Sequence, residues 1–386
     1  MKSKSKPRQD PALVSSDEAL KAFIEPLQEA KRIAFDTEAA SFHRYVDRIY
    51  LIQISSDTET AIIDPLAISN LKAVGRLLAN PAIEAVFHDA DYDLRVLDRD
   101  YGFHARNLFD TRIAAQLLGE PGIGLGPLLQ KYFRLSVDKK LQRADWSRRP
   151  LTPEMISYAA GDTRHLLSLR DELHGQLESR GRLEWAQEEF KRLEAIRWNP
   201  DAGNPDAFLR IKGAKALSPR SLSILKTVHE WREATAASLD RAPFRVLGND
   251  ALTALARTAP TTRRRLRSMN GVPSSAIRRY GDDLLKAVQR GLETPPEKYP
   301  KVERNRRPKI SPAAQQRLER LKALRRVAAK DLGIEIGVLC PNGTLQAIAV
   351  AAPTTTRDLR KVLDLKRWQC AAVGSAELLQ AVGDGA

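Results

Sequence analysis

Residues 32–64 read RIAFDTEAASFHRYVDRIYLIQISSDTETAIID and contain three short apolar runs. The run at 32–36 predicts a buried strand, and the runs at 49–54 and 60–64 predict two strands joined by a turn at 55–58. Residues 85–88 predict a further short strand. Helical spacing of apolar residues covers 71–78, 91–98, 112–118, 125–133 and 153–177. Strand pairs followed by alternating strands and helices predict an α/β fold, with a mixed sheet covered by helices.

Two breaks in this pattern predict three domains. Residues 198–205 contain two prolines and a glycine, and residues 295–312 are rich in Pro, Lys and Arg without apolar periodicity. The predicted domains are therefore 1–198, 206–293 and 312–382. The second and third are helical throughout by their leucine spacing, which predicts two copies of one small helical module.

The charge of the chain is concentrated in its second half. The formal net charge is +15, from 63 Lys+Arg against 48 Asp+Glu. Residues 1–200 carry 29 basic against 30 acidic residues, so residues 201–386 carry 34 against 18, a net of +16. Such a surface attracts a polyanion, and nucleic acid is the favoured partner. On charge alone, an acidic membrane surface or an acidic protein stays open.

Cysteine content and hydropathy indicate the cellular compartment in which we expect the chain. Cys340 and Cys370 are the two cysteines, which excludes a disulfide framework, and no zinc-type CxxC spacing occurs. A reducing cytoplasm is the simplest expectation. The N-terminal residues are basic with no apolar stretch behind them, so we expect a short basic tail and no signal peptide. No run approaches the roughly 20 apolar residues of a membrane span, and no membrane partner is expected.

The strongest chemical signal is the pair Asp36 and Glu38. Residues two apart on a strand point to the same side, so both carboxylates are expected to project together. Close carboxylates repel, and hard cations such as Mg²⁺ or Mn²⁺ prefer oxygen ligands of this kind. Taken alone, the pair is explained better by an Asp and a Glu in a solvated turn.

Two further acidic stretches could join this site. Residues 88–93 read HDADYD after an apolar run, and acids at a helix start are favoured by the helix dipole, which suits Asp89 and Asp91. Asp93 lies one turn further and could face the sheet. In the stretch YAAGD, Tyr158 and Asp162 are four residues apart and share a helix face. Taken alone, this stretch is explained better by a packed tyrosine and a salt bridge from Asp162 to its basic neighbours at 164–165.

The ordered set FDTE, HxAxxDL and YxxxD resembles the DEDD exonucleases in their tyrosine-bearing branch, most closely the ribonuclease D family. The motifs 107–111, 119–125 and 145–151 support this resemblance, which covers about residues 20–195. Residues 212–293 resemble an HRDC module, and 312–382 resemble a second, more divergent copy. The resemblance implies a ribonuclease H-like mixed sheet with flanking helices, followed by two small helical HRDC-like domains.

The resemblance also implies a mechanism. Asp36, Glu38, Asp93 and Asp162 would bind two divalent metal ions, Mg²⁺ or Mn²⁺, and Tyr158 would orient the attacking water. RNA would be hydrolysed from its 3′ end with release of 5′-mononucleotides, and precursors of transfer RNA with 3′ extensions are the expected substrates. No nucleotide cofactor is expected, since no GxxxxGK[ST] sequence occurs, and a monomer is the simpler oligomeric state.

Other residues near these motifs have less defined expected roles. Trp146, Arg148 and Arg149 could stack on or pair with the RNA end, although a packed loop explains them nearly as well. We expect His88 and His165 to make structural hydrogen bonds, because hard-cation sites seldom use imidazole. Gly161, beside Asp162, costs about 1 kcal/mol of helix stability and could admit the substrate closely.

Two other functions compete with an exoribonuclease. A 3′→5′ exodeoxyribonuclease would use the same acids on DNA. A catalytically inactive nucleic-acid-binding protein is the alternative of another class, and the intact set of acids argues against it.

Overall fold

A computed structural model of the chain describes residues 10–138, 140–199, 206–296, 310–362 and 364–383. The basic N-terminal stretch 1–8 and most of the two predicted linkers, 200–205 and 297–309, lie outside these residues. The predicted domain boundaries therefore stay predictions.

The described residues form two compact units. The first unit contains those of 1–38, 49–198 and 307–386, and the second contains those of 39–48 and 199–306. The second helical module thus groups with the α/β region. No helix in the described ranges has both the length and the apolar composition needed to cross a membrane.

The first unit is built on a six-stranded mixed sheet, which confirms the predicted fold class. The strands are β1 Ala12–Val14, β2 Arg32–Ala39, β3 Ile49–Ser55, β4 Thr60–Ile63, β5 Glu84–Phe87 and β6 Leu108–Asp110. Their order is β1-β4-β3-β2-β5-β6. Strands β3 and β4 form the expected antiparallel hairpin, while β5 is parallel to both β2 and β6. All seven residues of β3 are buried, because helices cover the sheet.

Eight helices of the α/β region surround this sheet. They are α1 Asp17–Leu27, α2 Lys72–Ala79, α3 Asp91–Tyr101, α4 Thr111–Leu118, α5 Leu125–Phe133, α6 Pro153–Arg164, α7 Leu166–Ser179 and α8 Leu183–Leu193. The single helix predicted over 153–177 was wrong, since α6 ends before His165, whose φ of −106° and ψ of 0° interrupt it. Helix α6 packs on β3 and β4, whereas α7 packs on α4. The two halves of the predicted helix therefore run in directions set by different neighbouring elements.

The rest of the described chain is helical, as predicted. The second unit has two 3₁₀ turns, Ala207–Arg210 and Ala214–Ala216, and helices α9 Pro219–Ser238, α10 Pro243–Val246, α11 Asn249–Thr258, α12 Arg263–Arg267 and α13 Ser274–Glu293. The last module has α14 Pro312–Leu332, α15 Ile336–Leu339, α16 Asn342–Ala351, α17 Thr356–Leu359, α18 Arg367–Val373 and α19 Ser375–Gly383.

The two helical modules differ in the core that they join. Leu222 and Leu252 belong to a cluster formed within the second unit. Leu318, Leu321 and Trp368 belong to the same hydrophobic cluster as the sheet residues of the first unit. The last module is therefore a packed part of the first unit.

Arg182 fastens this module to the α/β region. Its buried guanidinium donates hydrogen bonds to the carbonyl oxygens of Leu117, at 2.7 Å, and Leu332, at 2.6 Å. Nearby, the Lys366 ammonium is 2.5 Å from the Glu189 carboxylate, and the Trp185 and Trp368 rings stack at 5.3 Å.

We expect Arg182→Met to destabilise the first unit by about 2–3 kcal/mol, because two backbone carbonyl oxygens, one of them buried, lose a charged donor. The free energy of unfolding in urea measures this loss. Arg192→Met, on the exposed side of α8, is the matched control and should change little. Equal stability of both variants would mean that the hydrogen bonds of Arg182 contribute nothing.

Candidate active site

Three carboxylates meet beside the sheet. Asp36 and Glu38 come from β2 and Asp162 from α6, and one oxygen of each lies within 4.8 Å of the other two. Asp36 and Glu38 project together because they are two residues apart on a strand. Asp162 reaches them because α6 packs across β3 and β4.

Asp93 lies beside this group but is not one of the three. It sits in the first turn of α3 and is 6% exposed. Its Oδ1 accepts a hydrogen bond of 2.5 Å from the Thr37 hydroxyl. Its charge still raises the pKa of both Asp36 and Glu38, so the four predicted acids share one electrostatic environment.

Burial and mutual repulsion hold these acids far from their usual titration range. Burial, followed by the charges of Asp93, Asp162 and Glu38, raises the pKa of Asp36 well above its ordinary value. The pKa of Glu38 is raised in the same way. Burial raises the pKa of Asp93 and of Asp162 to about 7. An all-oxygen, anionic cluster of this kind fits a hard divalent cation, whose charge would offset the repulsion.

Asp110 supports the loop that leads to Asp93. This buried carboxylate accepts backbone N–H groups from Asp89 and Ala90, at 3.3 and 2.8 Å, and from Arg112 and Ile113, at 2.8 and 3.1 Å. Asp89 takes a left-handed φ of 70°, so the loop needs such support. Neither Asp110 nor Thr37 was predicted as a site residue, although an Asp before a helical run is an N-cap signal.

Tyr158 lies one helical turn before Asp162 on α6. Burial and the negative charges of Asp162, Glu38 and Asp36 raise the pKa of its phenol. The hydroxyl therefore stays protonated at neutral pH and can donate a hydrogen bond. Behind it, the Trp146 ring lies 5.8 Å from the Tyr158 ring.

Two of the three residues predicted to contact RNA make contacts that support the loop. Trp146 is 1% exposed, so its ring has no face for a base. The Arg149 guanidinium pairs with Asp64 at 2.5 Å and donates to the carbonyl oxygen of Tyr50 at 2.9 Å. These side chains fill and brace the loop, and their contact with RNA stays a prediction. The Arg148 side chain is 77% exposed, and its RNA contact stays a prediction.

His88 makes a structural hydrogen bond. Its Nδ1 lies 2.9 Å from the Thr111 hydroxyl, which itself donates to the Phe87 carbonyl oxygen. Thr111 therefore accepts the Nδ1 proton. Burial, together with the charge of Arg112, lowers the pKa of His88 to about 4, so the ring is neutral.

Gly161 leaves open space beside Asp162. Apart from the helix's own backbone and the neighbouring residues, a Cβ atom added there would meet no atom of the described residues within 4 Å. The glycine is thus not required by packing.

Family models match both halves of the chain. A 3′-5′ exonuclease model matches residues 11–178, and an HRDC domain model matches residues 221–288 and 314–382. Both helical matches lie within the modules predicted from the sequence.

Relatives and solved structures agree with these matches. The chain is 34% identical to a ribonuclease D of Shewanella sp. (strain ANA-3), covering 74% of each chain. It is 30% identical to the ribonuclease D of Desulfotalea psychrophila, covering 87% of this chain and 90% of the relative. The crystal structure of Escherichia coli RNase D, described as an exoribonuclease involved in structured RNA processing, superposes with a TM-score of 0.68 at 26% identity. It covers 96% of this chain and 99% of that one.

The raised pKa of Asp162 predicts a pH-dependent stability of the metal-free protein. Its pKa is about 7 in the folded chain and near 4 when unfolded. The folded state therefore binds more protons between these values, and stability falls as pH rises from about 4 to 7. In EDTA, we expect Asp162→Asn to be more stable than wild type by about 1–2 kcal/mol at pH 8.

Urea unfolding at a series of pH values measures this difference, which should vanish near pH 4. Asp91→Asn, at an exposed acid of α3 paired with Arg95, is the control and should show no such gain. A difference that stayed constant across the pH range would contradict the assigned charge cluster.

Proposed function

The chain belongs to the ribonuclease D family of 3′→5′ exoribonucleases, and on this premise we propose that Asp36, Glu38, Asp93, Tyr158 and Asp162 form its active site. The observation that carries the proposal is the approach of three carboxylate oxygens to within 4.8 Å of one another. The family is metal-dependent, and these oxygens are the ligands that a hard cation prefers.

In this proposal Asp36, Glu38, Asp93 and Asp162 bind two divalent ions, Mg²⁺ or Mn²⁺. When bound, such ions supply an activated water and stabilise the leaving 3′ oxygen. The chain itself holds the four carboxylates in place, with Thr37 orienting Asp93 through its hydroxyl. Partial burial lowers the effective dielectric constant around these ligands, which strengthens the charge interactions in the site.

Tyr158 positions the attacking water and does not remove its proton. Its raised pKa keeps the phenol protonated, so the hydroxyl donates to the water or to a phosphate oxygen. The buried Trp146 behind it limits the movement of the ring. Each round of hydrolysis at the 3′ end releases one 5′-mononucleotide.

RNA is the substrate class of the family, and we infer that precursors of transfer RNA with 3′ extensions are the substrates of this chain. The related Escherichia coli enzyme is described as acting in structured RNA processing, which supports a structured substrate. A monomer in the cytoplasm is the setting that we infer.

An arginine-rich face of the second unit suits the backbone of such a substrate. Residues 263–279 contain six arginines and no acid. The residues of this basic face are Arg263, Arg264, Arg265, Arg267, Arg278 and Arg279, all of them exposed. Among the described residues, Arg263 pairs with Asp282 at 2.7 Å, while the others have no carboxylate partner at salt-bridge distance. Unpaired arginines release counterions when they bind phosphates, which favours a polyanion.

We expect Asp36→Ala or Asp162→Ala to lower RNA cleavage by at least about a hundredfold, since each removes charge stabilisation from the reacting centre. RNA binding should persist. The assay is a denaturing-gel time course on a 5′-labelled transfer RNA with an extended 3′ tail, in Mg²⁺, Mn²⁺ or EDTA.

Asp91→Ala, which removes an exposed acid two residues before Asp93, is the control and should cleave like wild type. Comparable turnover by wild type and the Asp36 or Asp162 variant would reject the assigned ligands. Equal cleavage of a matched DNA oligonucleotide would indicate a less selective exonuclease than proposed.

Replacing Arg264, Arg265 and Arg267 by alanine should weaken RNA binding. The slope of the logarithm of the binding constant against the logarithm of the salt concentration should become shallower by about 2–3, because each phosphate that is no longer bound removes one unit or slightly less. Filter binding across salt concentrations measures this slope. The matched control neutralises Arg326, Lys330 and Arg357, exposed basic residues of the first unit. Equal slopes for the two triple variants would show that the basic face is not a preferred RNA-binding surface.

A further inference from the structure

Two exposed phenylalanine rings contact each other in the second unit. Phe42 lies in the turn that follows β2, and Phe244 lies in α10. Their ring centroids are 6.2 Å apart with planes at 78°, and the residues are 42% and 53% exposed. Large aromatic side chains are usually shielded from water in the folded state. An exposed pair therefore indicates a binding surface.

Polar contacts fix the backbones that carry these rings. The Arg245 guanidinium donates to the carbonyl oxygen of Phe42, and the Ala242 amide donates to that of His43 at 3.3 Å. Asp240 accepts from the Tyr45 amide at 3.2 Å and pairs with Arg44 at 3.2 Å. Two segments about 200 positions apart in the chain thus present the rings side by side. The two rings are therefore exposed on backbone segments that hydrogen bonds hold in place.

The charges around the rings favour an anionic partner. Segments 39–48 and 239–248 contain four arginines, at 44, 48, 241 and 245, and two acids, at 47 and 240. Asp240 is already occupied by Arg44 and by a backbone amide. A purely apolar protein partner would gain nothing from this surplus of arginine, whereas a nucleic-acid strand offers both ring faces and phosphates.

We propose that the Phe42–Phe244 pair is a stacking surface for unpaired bases of the RNA substrate. This inference rests on the proposed function, because it assumes that RNA is what the chain binds. Phe42 belongs to the segment directly after the strand that carries Asp36 and Glu38. Stacking on phenylalanine is tolerant of base identity, since every base has a flat face. The surface would therefore hold single-stranded tails of any sequence.

The test compares Phe244→Leu, which keeps an apolar side chain but removes the ring, with Phe244→Tyr, which keeps the ring. The probe is an RNA hairpin with a short single-stranded adenine 3′ tail, and its partner carries abasic residues in the tail. Binding of the full-length chain is measured in EDTA, where no cleavage occurs. We expect Phe244→Leu and Phe42→Leu to bind the adenine tail roughly tenfold more weakly, and Phe244→Tyr to bind it like wild type.

Two controls distinguish stacking from a general decrease in RNA affinity. The abasic tail should bind wild type and Phe244→Leu equally, because both retain the same arginines. Val327→Ala, at an exposed apolar residue of the first unit, should bind both tails like wild type. Unchanged binding of the adenine tail by both leucine variants would overturn the proposal, as would an equal decrease on both tails. A change in sedimentation of Phe244→Leu would overturn it as well, in favour of a contact between copies of the chain.

Failure of this inference is distinguishable from failure of the proposed function. A wild-type chain that shortens no RNA with Mg²⁺ or Mn²⁺ would count against the active site. The binding comparison in EDTA would still decide whether the rings hold bases. In cleavage assays, the leucine variants should raise KM for tailed RNA about tenfold and leave kcat unchanged, which a damaged active site would not do.

Discussion

The repulsion between the clustered carboxylates of β2, α3 and α6 is the constraint on which the first unit depends. Bringing these groups together raises the pKa of Asp36, Glu38, Asp93 and Asp162, so the metal-free site costs folding energy. The apolar strands of the sheet, buried on both faces, offset that cost. A stable scaffold can keep a destabilised cluster ready for cations, since binding them recovers this energy.

The same scaffold explains why the last helical module differs from the first. Its leucines complete the hydrophobic cluster of the sheet, and Arg182 closes the junction. A chain cut at residue 206 would lack part of that cluster and would be less stable. Weaker RNA binding by such a truncated chain could therefore not be separated from its lower stability. The first module has a core of its own. Its exposed surface can thus vary for substrate binding without disturbing the catalytic scaffold.

The sequence predicted the elements that have a long periodic pattern. The β3–β4 hairpin, the helices that carry Asp93 and Asp162, and the helical character of both modules follow from apolar spacing and turn residues. Strands β1 and β6 have three residues each, which is too short for a pattern, and pairing with a neighbour defines them. The break at His165 arises because α6 and α7 pack against different elements. The spacing of apolar residues along the sequence does not report which elements a helix packs against. Thr37 reaches Asp93 across 56 positions, and no local pattern reports such a contact.

Aromatic residues can brace a loop or contact RNA, and residue type alone does not distinguish the two roles. The exposure of each side chain does. Trp146 and Arg149 have the residue types expected of an RNA contact, yet both are used to brace the loop behind Tyr158. The sequence predicts no function for Phe42 or Phe244, because a single phenylalanine is usually a core residue. They become significant because two distant segments expose them together among arginines. In the proposed mechanism, the buried aromatic residues position Tyr158, and the exposed ones are left to meet the substrate.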